Sequence, residues 1–583
     1  MLIADAASSY GVPWWQWVLS VVAHDALLLG LLGVATAIAF IVPRTFSPLP
    51  ACAGLALIVL MLADLLVFQQ LAHRLLYSDL IKFRKEIGAL ASLIRVNGAD
   101  PRSLAYLVAG SAGIAVLLAS LWPQARRRPS FAKVLAVVGV GALMLFAVRD
   151  RVGLRSIHAE YVMNVIEVNA NNTVDRPYSA AFGARVRASA AQPLACSTGR
   201  GKRVDIILVV VESLSAYQSE LLGGPLAITP HLDDLATGGT WFTGMLANGF
   251  TTDHGLIALL TGRNPIPGIG RYGSLDAYAG FEAPEGSLPR RLSRSGYSSA
   301  FLANSDLSFL GKGAWLKGLG FDDVEGHDHP FYTGAPRGHF QAAPDGWLFD
   351  RALHWLDSGA RDSPRLLVLA TTSTHPPFTN PVTGERSEAA SFGYLDERIG
   401  AFARSLKDRG FFDNGLVLIT SDHRSMTPLR PGELDRFGEF APARIPLIVL
   451  GADILPAGPV SGTYQQTDLA GSLDALVSDT ACRPAQTGLL FASPPQPPDS
   501  VVHSRGDLRN RLEVFVADQA FGFRLAGDDS DWVGPRPPGA LAHALPLQIH
   551  RERIERGLGS NADGLLDYYI QQRLPPDPVD APR

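Results

Sequence analysis

Apolar residues crowd the start of the chain in four runs, Ala26 to Val42, Leu49 to Phe68, Ser103 to Trp122 and Phe131 to Val148. Each is near the length that crosses about 30 Å of hydrocarbon at about 1.5 Å per residue, so the pattern predicts four membrane helices within residues 1–150. The first run is short unless Trp14, Trp15 and Trp17 extend it as an interfacial belt. Further spans follow and no basic stretch precedes it, which reads as a retained helix and not a cleaved signal peptide. Arg126, Arg127 and Arg128 form the densest basic cluster between two runs. By the bias of basic loops toward the cytoplasm, that loop stays inside and everything after Val148 lies outside. The same count exports Lys82, Arg84, Lys85 and Arg95. That predicts either a fifth span or an amphipathic helix over His73 to Val96 on the outer surface, with Leu75, Leu76, Leu80, Ile81, Ile87, Leu90 and Leu93 toward lipid. His24, Asp25 and Asp64 lie in or beside apolar runs, where ionisable groups are costly. Helix ends or contacts inside the bundle are the plainer expectation for them.

After a polar stretch, 151–200, which reads as a linker, the pattern changes to short strands between helical segments. VDIILVVV (Val204 to Val211), LLVLAT (Leu366 to Thr371), LVLIT (Leu416 to Thr420) and PLIVL (Pro446 to Leu450) are continuously apolar, as strands buried on both faces are. Residues 201–490 therefore read as an α/β domain with a largely parallel sheet, whose functional groups collect on loops at the strand C-terminal ends. Residues 491–583 read as a smaller C-terminal subdomain. It contains the hairpin-like EVFVADQAFGFRLAGDD, a helix, and the proline-rich tail PPDPVDAPR, expected to be disordered.

Composition adds three points. Only 18% of the 583 residues are charged while 47% are hydrophobic, which is unusual for a purely soluble protein, and the net charge of −4 gives no basic excess to draw the chain onto nucleic acid. Of the three cysteines, Cys52 falls in an apolar run. Cys196 and Cys482 either pair in an oxidising compartment or stay as free thiols, and spacing does not decide between these.

The first strand ends in Glu212-Ser213 and the third in Ser421-Asp422-His423, while Gly249-Phe250-Thr251-Thr252-Asp253 precedes the apolar stretch LIALLTG. Two carboxylates, an imidazole and a hydroxyl at one sheet edge make an N/O site suited to Mn²⁺, Mg²⁺ or Zn²⁺. Singly, none is specific, because a Glu or Thr after a strand is more often a helix cap.

In this order and setting the motifs resemble the phosphoglycerol transferases that decorate periplasmic glucans and, more distantly, lipoteichoic acid synthase. LPRRLSRSGYSSAFLANSDLSFLGKGAWLKGLGFDDVEG (Leu288 to Gly326) and SDHRSM (Ser421 to Met426) are similar to the glucan-modifying members, and the likeness runs from about Val204 to Asp468. The resemblance implies an alkaline phosphatase/sulfatase-like, doubly wound α/β fold behind a helical membrane domain, in a bacterial inner membrane with the catalytic domain in the periplasm. It also implies that Glu212, Asp422 and His423 bind a divalent metal whose coordination the nucleophilic threonine completes. Thr252 is the nucleophile by counting back from LLTGR, with Thr251 one step away as the alternative. His375, in THPPF, matches a family histidine that contacts the transferred group and shuttles a proton. Lys312 falls where lipoteichoic acid synthase has a phosphate-gripping arginine, and supplies charge without the bidentate fork. His254 either lines the pocket or caps its helix, and His327 and His329, in GHDHP, read as a solvated loop.

The implied reaction moves phosphoglycerol from phosphatidylglycerol onto a glucan through a covalent threonine adduct, exchanging one phosphodiester for another with no nucleotide. A sulfatase of this fold needs Cys or Ser for conversion to formylglycine, and here the run is Thr252-Asp253-His254-Gly255-Leu256. A phosphoethanolamine transferase would use the same nucleophile and metal, and a membrane-anchored sensor would have lost its ligand set. Both remain open at this level.

Overall fold

The computed structural model describes residues 14–71 except 44, 74–76, 108, 110–111, 114–115, 129–149, 163–172 and, with short gaps, 178–556. These divide into two compact units, one of Met1–Leu80, Ile87–Asn171 and Thr427–Asp435, the other of the remainder.

In the first unit the helix Trp14–Ile41 begins at the tryptophan cluster, so the first apolar run is lengthened as its flanking residues predict. Together with Pro48–Leu71 it supplies two helices long and apolar enough to cross a membrane; Pro129–Ala147 is a third, shorter apolar helix. Most of Ser103 to Trp122, and His73 to Val96 apart from 74–76, lie outside the described residues. Arg74 to Leu76 are not helical, and Leu75 and Leu76 are buried instead of facing lipid. The cause is Asp64, which in an apolar helix needs donors. It accepts from Arg74 Nη1 at 2.7 Å and from the Leu75 amide at 2.8 Å, folding that turn inward. His24 is satisfied in the same way, with Nδ1 2.8 Å from Glu167 Oε2, while Glu167 Oε1 lies 2.6 Å from Arg149 Nε.

The second unit begins inside the stretch that reads as a linker. That stretch instead carries the helices Val165–Asn172, which belongs to the first unit, and Ala180–Ala188, followed by strand β1 (Leu194–Thr198). Ser179 caps the second helix by accepting from the Phe182 amide, and Phe182 and Val186 are buried. These anchors were hidden because an 8- or 9-residue helix carries too few periods to stand out.

Eight strands form the central sheet. In chain order they are β2 (Asp205–Val211), β3 (Thr240–Phe242), β5 (Ser298–Ala303), β6 (Asp323–Glu325), β7 (Arg365–Ala370), β8 (Gly415–Ser421), β9 (Leu447–Leu450) and β10 (Gly458–Val460). Short β4 (Met245–Leu246) pairs with β11 (Tyr464–Gln465) beside them. The spatial order is β10-β3-β9-β8-β2-β7-β5-β6. Only β9, the PLIVL strand, runs against its neighbours. Alternate residues of β2 enter different cores: Ile206, Leu208 and Val210 pack with Leu256, Leu259 and Leu260, whereas Ile207, Val209 and Val211 pack with Leu348, Phe392 and Leu395. Helices thus cover both faces, which makes the sheet doubly wound and explains strands with no polar alternation. Because β2, β7 and β8 are adjacent and parallel, their C-terminal residues emerge side by side.

Beyond the sheet, β12 (Thr480–Pro484) pairs antiparallel with β1, setting Cys196 opposite Cys482 in a disulfide with a Cα–Cα distance of 4.1 Å. A four-stranded antiparallel sheet, β13 (Val501–Ser504), β14 (Arg511–Val516), β15 (Gln519–Arg524) and β16 (Asp531–Val533), contains the expected hairpin as β14 and β15. The helix Leu541–Glu555 follows, and the proline-rich tail lies outside the described residues.

Candidate active site

Glu212 follows β2, and Asp422 and His423 follow β8, so the parallel register delivers all three to one edge. Their ligand atoms lie within 4.8 Å of one another and all three residues are buried. His423 Nε2 is 3.3 Å from Asp422 Oδ2 and 3.5 Å from Glu212 Oε1. His423 Nδ1 donates to the Arg424 carbonyl at 2.8 Å, which leaves Nε2 facing the two carboxylates and able to offer its lone pair once the ring is deprotonated. Three acceptors converging on one buried point fit a cation, and the N/O donor set fits Mn²⁺, Mg²⁺ or Zn²⁺.

The backbone is bent to make this arrangement. Ser213 holds φ of 58°, a left-handed conformation that costs a non-glycine residue energy and is concentrated at functional sites. The turn is secured because the Ser213 amide donates to Asp422 Oδ1 at 2.9 Å and its hydroxyl donates to Glu212 Oε1 at 2.7 Å.

Thr252 opens the helix Thr252–Thr261, which ends at left-handed Gly262 of the LLTG motif. Its Oγ1 lies 3.3 Å from Glu212 Oε2 and 3.4 Å from His423 Nε2. The neighbouring Thr251 occupies the N-cap in an extended conformation, and its Oγ1 is buried without a hydrogen-bond partner. Of the two threonines, Thr252 is therefore the one brought to the carboxylate–imidazole cluster. His254 sits in the first turn, where a side chain at Gly249 would collide with it.

His375 lies buried on the loop after β7 and donates Nδ1–H to the Pro376 carbonyl at 2.6 Å, so its Nε2 is free to accept. Burial lowers its pKa, keeping the ring neutral. Lys312 opens the helix Lys312–Leu319 and feels the charges of Glu212, Asp422 and Asp253, while burial of its ammonium lowers its pKa. His327 and His329 are not part of this site: His327 Nδ1 is 4.0 Å from Asp306, and His329 Nε2 is 3.7 Å from Glu325. Among the described residues no second group of His, Cys, Asp and Glu gathers as tightly as the first.

Several participants carry no sequence signal. Asp345, fully buried, accepts from Asn304 Nδ2 at 2.7 Å and from the Thr372 and Ser373 amides at 2.9 and 3.0 Å, fixing the loop that presents His375. His339 and Phe340 pack near the His375 ring, with centroids 6.4 and 5.1 Å away, and burial pushes the His339 pKa down to about 4. An isolated Asp at a helix start or a His in a glycine-rich loop has too many ordinary explanations to be singled out.

Electrostatics at the cluster give a pH prediction. Burial alone would raise Glu212, but the hydrogen bond from His423 and the charge of that ring hold it below the usual carboxylate range. Burial and the Glu212 charge raise Asp422 to about 7. Burial opposes protonation of His423, but Asp422 and Glu212 outweigh it and raise the ring from 6.5 to about 9. A raised pKa stabilises the fold below the ordinary value, and that stabilisation is lost as pH climbs through the folded value. The three titrate as one coupled set. Without metal, the melting temperature is expected to fall as pH rises from about 7 to about 9. Mn²⁺ must displace the held proton, so its stabilising shift is expected to grow over the same range. Melting curves with Mn²⁺ or chelator across that range check this; a metal-induced shift independent of pH would contradict it.

Residues 205–478 match the Sulfatase family model, a stretch that holds the whole eight-stranded sheet and the Glu212–Asp422–His423 cluster. The chain is 26% identical over 396 residues to phosphoglycerol transferase I of Xanthomonas axonopodis pv. citri, covering 64% of this chain and 51% of that protein. It is 28% identical over 287 residues to lipoteichoic acid synthase 1 of Bacillus subtilis, covering 44% of this chain and 43% of that one. The match thus spans about half the length of these relatives. Among solved structures, the lipoteichoic acid synthase LtaP of Listeria monocytogenes aligns with 68% of this chain and 99% of its own, at a TM-score of 0.48 and 17% identity.

Proposed function

We propose that this chain is a membrane-anchored phosphoglycerol transferase that moves phosphoglycerol from phosphatidylglycerol to a periplasmic glucan. Residues 1–150 would anchor it by several spans in a bacterial inner membrane, and 201–490 would be the catalytic domain outside the cytoplasm. The observation that carries this reading is the approach of Thr252 Oγ1 to Glu212 and His423 at a buried edge. The names of the two relatives, a phosphoglycerol transferase and a lipoteichoic acid synthase, support the choice of transferred group.

Glu212, Asp422 and His423 would hold the metal, with Thr252 Oγ1 adjoining. A divalent ion held there would lower the pKa of the hydroxyl and offset charge on the phosphoryl oxygens. Thr252 Oγ1 gives its proton to neutral His375 at Nε2 and attacks phosphorus, the bond to the diacylglycerol oxygen breaks, and that oxygen leaves with the proton returned by His375. In the second half an acceptor hydroxyl passes its proton to neutral His375 at Nε2 and attacks the phosphothreonine, the bond from phosphorus to Thr252 Oγ1 breaks, and the proton returns from His375 to Thr252. Lys312 balances the phosphodiester charge as a point cation.

The test is headgroup-labelled phosphatidylglycerol with the purified full-length protein and Mn²⁺. Diacylglycerol release with label on Thr252, then transfer to added glucan, is the expected result. Labelling from phosphatidylethanolamine alone would replace phosphoglycerol by phosphoethanolamine, and no labelling from either lipid would overturn the transferase reading.

A further inference from the structure

Two fully buried amides, Asn248 and Gln466, join the loop that carries Thr252 to the loop that carries the proposed metal ligands. Gln466 Nε2 donates to the Ser421 carbonyl at 2.8 Å and to the Asp422 carbonyl at 2.7 Å, using both of its N–H groups. Its Oε1 accepts from the Asn248 amide at 2.9 Å. Two carbonyls on one side and an amide N–H on the other allow only this orientation of the side chain. Asn248 is locked in turn: its Nδ2 donates to Gln465 Oε1 at 2.8 Å and to the Val502 carbonyl at 2.9 Å, and its Oδ1 accepts from the Thr467 amide at 3.1 Å. The Ser504 amide closes the ring by donating to the Asn248 carbonyl at 2.8 Å.

We infer that Gln466 is a positioning residue that sets the distance between Thr252 and the Glu212–Asp422–His423 cluster, with Asn248 and strand β13 of the C-terminal sheet as its support. The side chain joins two segments that each lie 44 residues or more from Gln466 in sequence, so neither loop can shift without breaking buried hydrogen bonds. A buried amide left without partners is costly, which makes the bridge stiff. Through it the C-terminal subdomain becomes part of the catalytic apparatus, because β13 grips the residue four positions before Thr252. Partners that orient metal ligands from outside typically change metal affinity or activity about 10–100-fold when removed.

The inference rests on the metal-site reading above, and its test separates the two. Gln466→Met keeps the side-chain length and removes all three hydrogen bonds. In the full-length protein stripped of metal, Mn²⁺ affinity is measured by calorimetry, the melting midpoint of the metal-free form reports the fold, and single-turnover labelling of Thr252 reports the chemistry. The expected result is a folded variant whose Mn²⁺ affinity falls about 10–100-fold. Labelling at saturating Mn²⁺ stays slow, because the misplacement is not cured by filling the site. Unchanged affinity and unchanged labelling in the folded variant would overturn the inference. If Gln466→Met does not fold, Gln466→Glu, whose protonated carboxyl keeps one donor and one acceptor, takes its place under the same two criteria. Wild-type protein that binds Mn²⁺ but labels from no lipid would sink the transferase reading alone, and the affinity comparison would still decide the role of Gln466.

Discussion

Thr252→Ala is expected to abolish labelling and to cut diacylglycerol release by about 10³-fold or more, equivalent to about 4 kcal/mol of lost transition-state stabilisation. The hydroxyl is the only group of this residue near the cluster, 3.3 Å from Glu212 Oε2, and an alanine offers no oxygen to form the new bond to phosphorus. The three other donors remain, so Mn²⁺ affinity should fall by less than about tenfold. Thr252→Ser should keep the adduct at a reduced rate. Thr251→Ala should label nearly as wild type, since the Thr251 hydroxyl is buried without a hydrogen-bond partner. Mass spectrometry of the labelled peptide distinguishes the two positions, and an adduct persisting in Thr252→Ala would reject Thr252 as nucleophile.

Gly255→Ala is expected to be nearly as damaging, through packing and not chemistry. A Cβ at Gly255 would stand 1.9 Å from the Asp422 carbonyl oxygen and 2.5 Å from its carbon, far inside van der Waals contact. Neither backbone can yield easily, because that same carbonyl is held by Gln466 Nε2. The helix that begins at Thr252 must move away, parting Thr252 from the cluster. Overpacking a core typically costs about 1–3 kcal/mol, so the protein should fold with a lowered melting temperature and a severe loss of Mn²⁺ binding and labelling. Gly393, in the helix Glu388–Asp408, is the control: nothing lies within 4 Å of an added Cβ there, so Gly393→Ala should be neutral or slightly stabilising. Equal behaviour of the two variants would show that the close approach at Gly255 is not a constraint.

The central strands were legible because burial on both faces leaves an unbroken apolar run, as in Ile206 to Val211. The same property hid direction. Leu447–Leu450 looks like its parallel neighbours, yet runs antiparallel, since a run buried on both sides carries no mark of which way it points. β3 and β10, of three residues each, were too short to carry any pattern. In the first unit the amphipathic reading of Leu75 and Leu76 failed because one carboxylate, Asp64, outweighed the preference of two leucines for lipid.

The sequence by itself determined the fold class and the meeting of Glu212, Asp422 and His423, because in a parallel sheet the residues after adjacent strands share one edge wherever the rest of the chain goes. Only the tertiary structure decided that Thr252 and not Thr251 reaches them, that Cys196 meets Cys482, and that Gln466 and Asn248 tie the two loops together. Each of these is a contact between segments far apart in the chain, set by distances of a few tenths of an ångström that no local pattern of residues encodes.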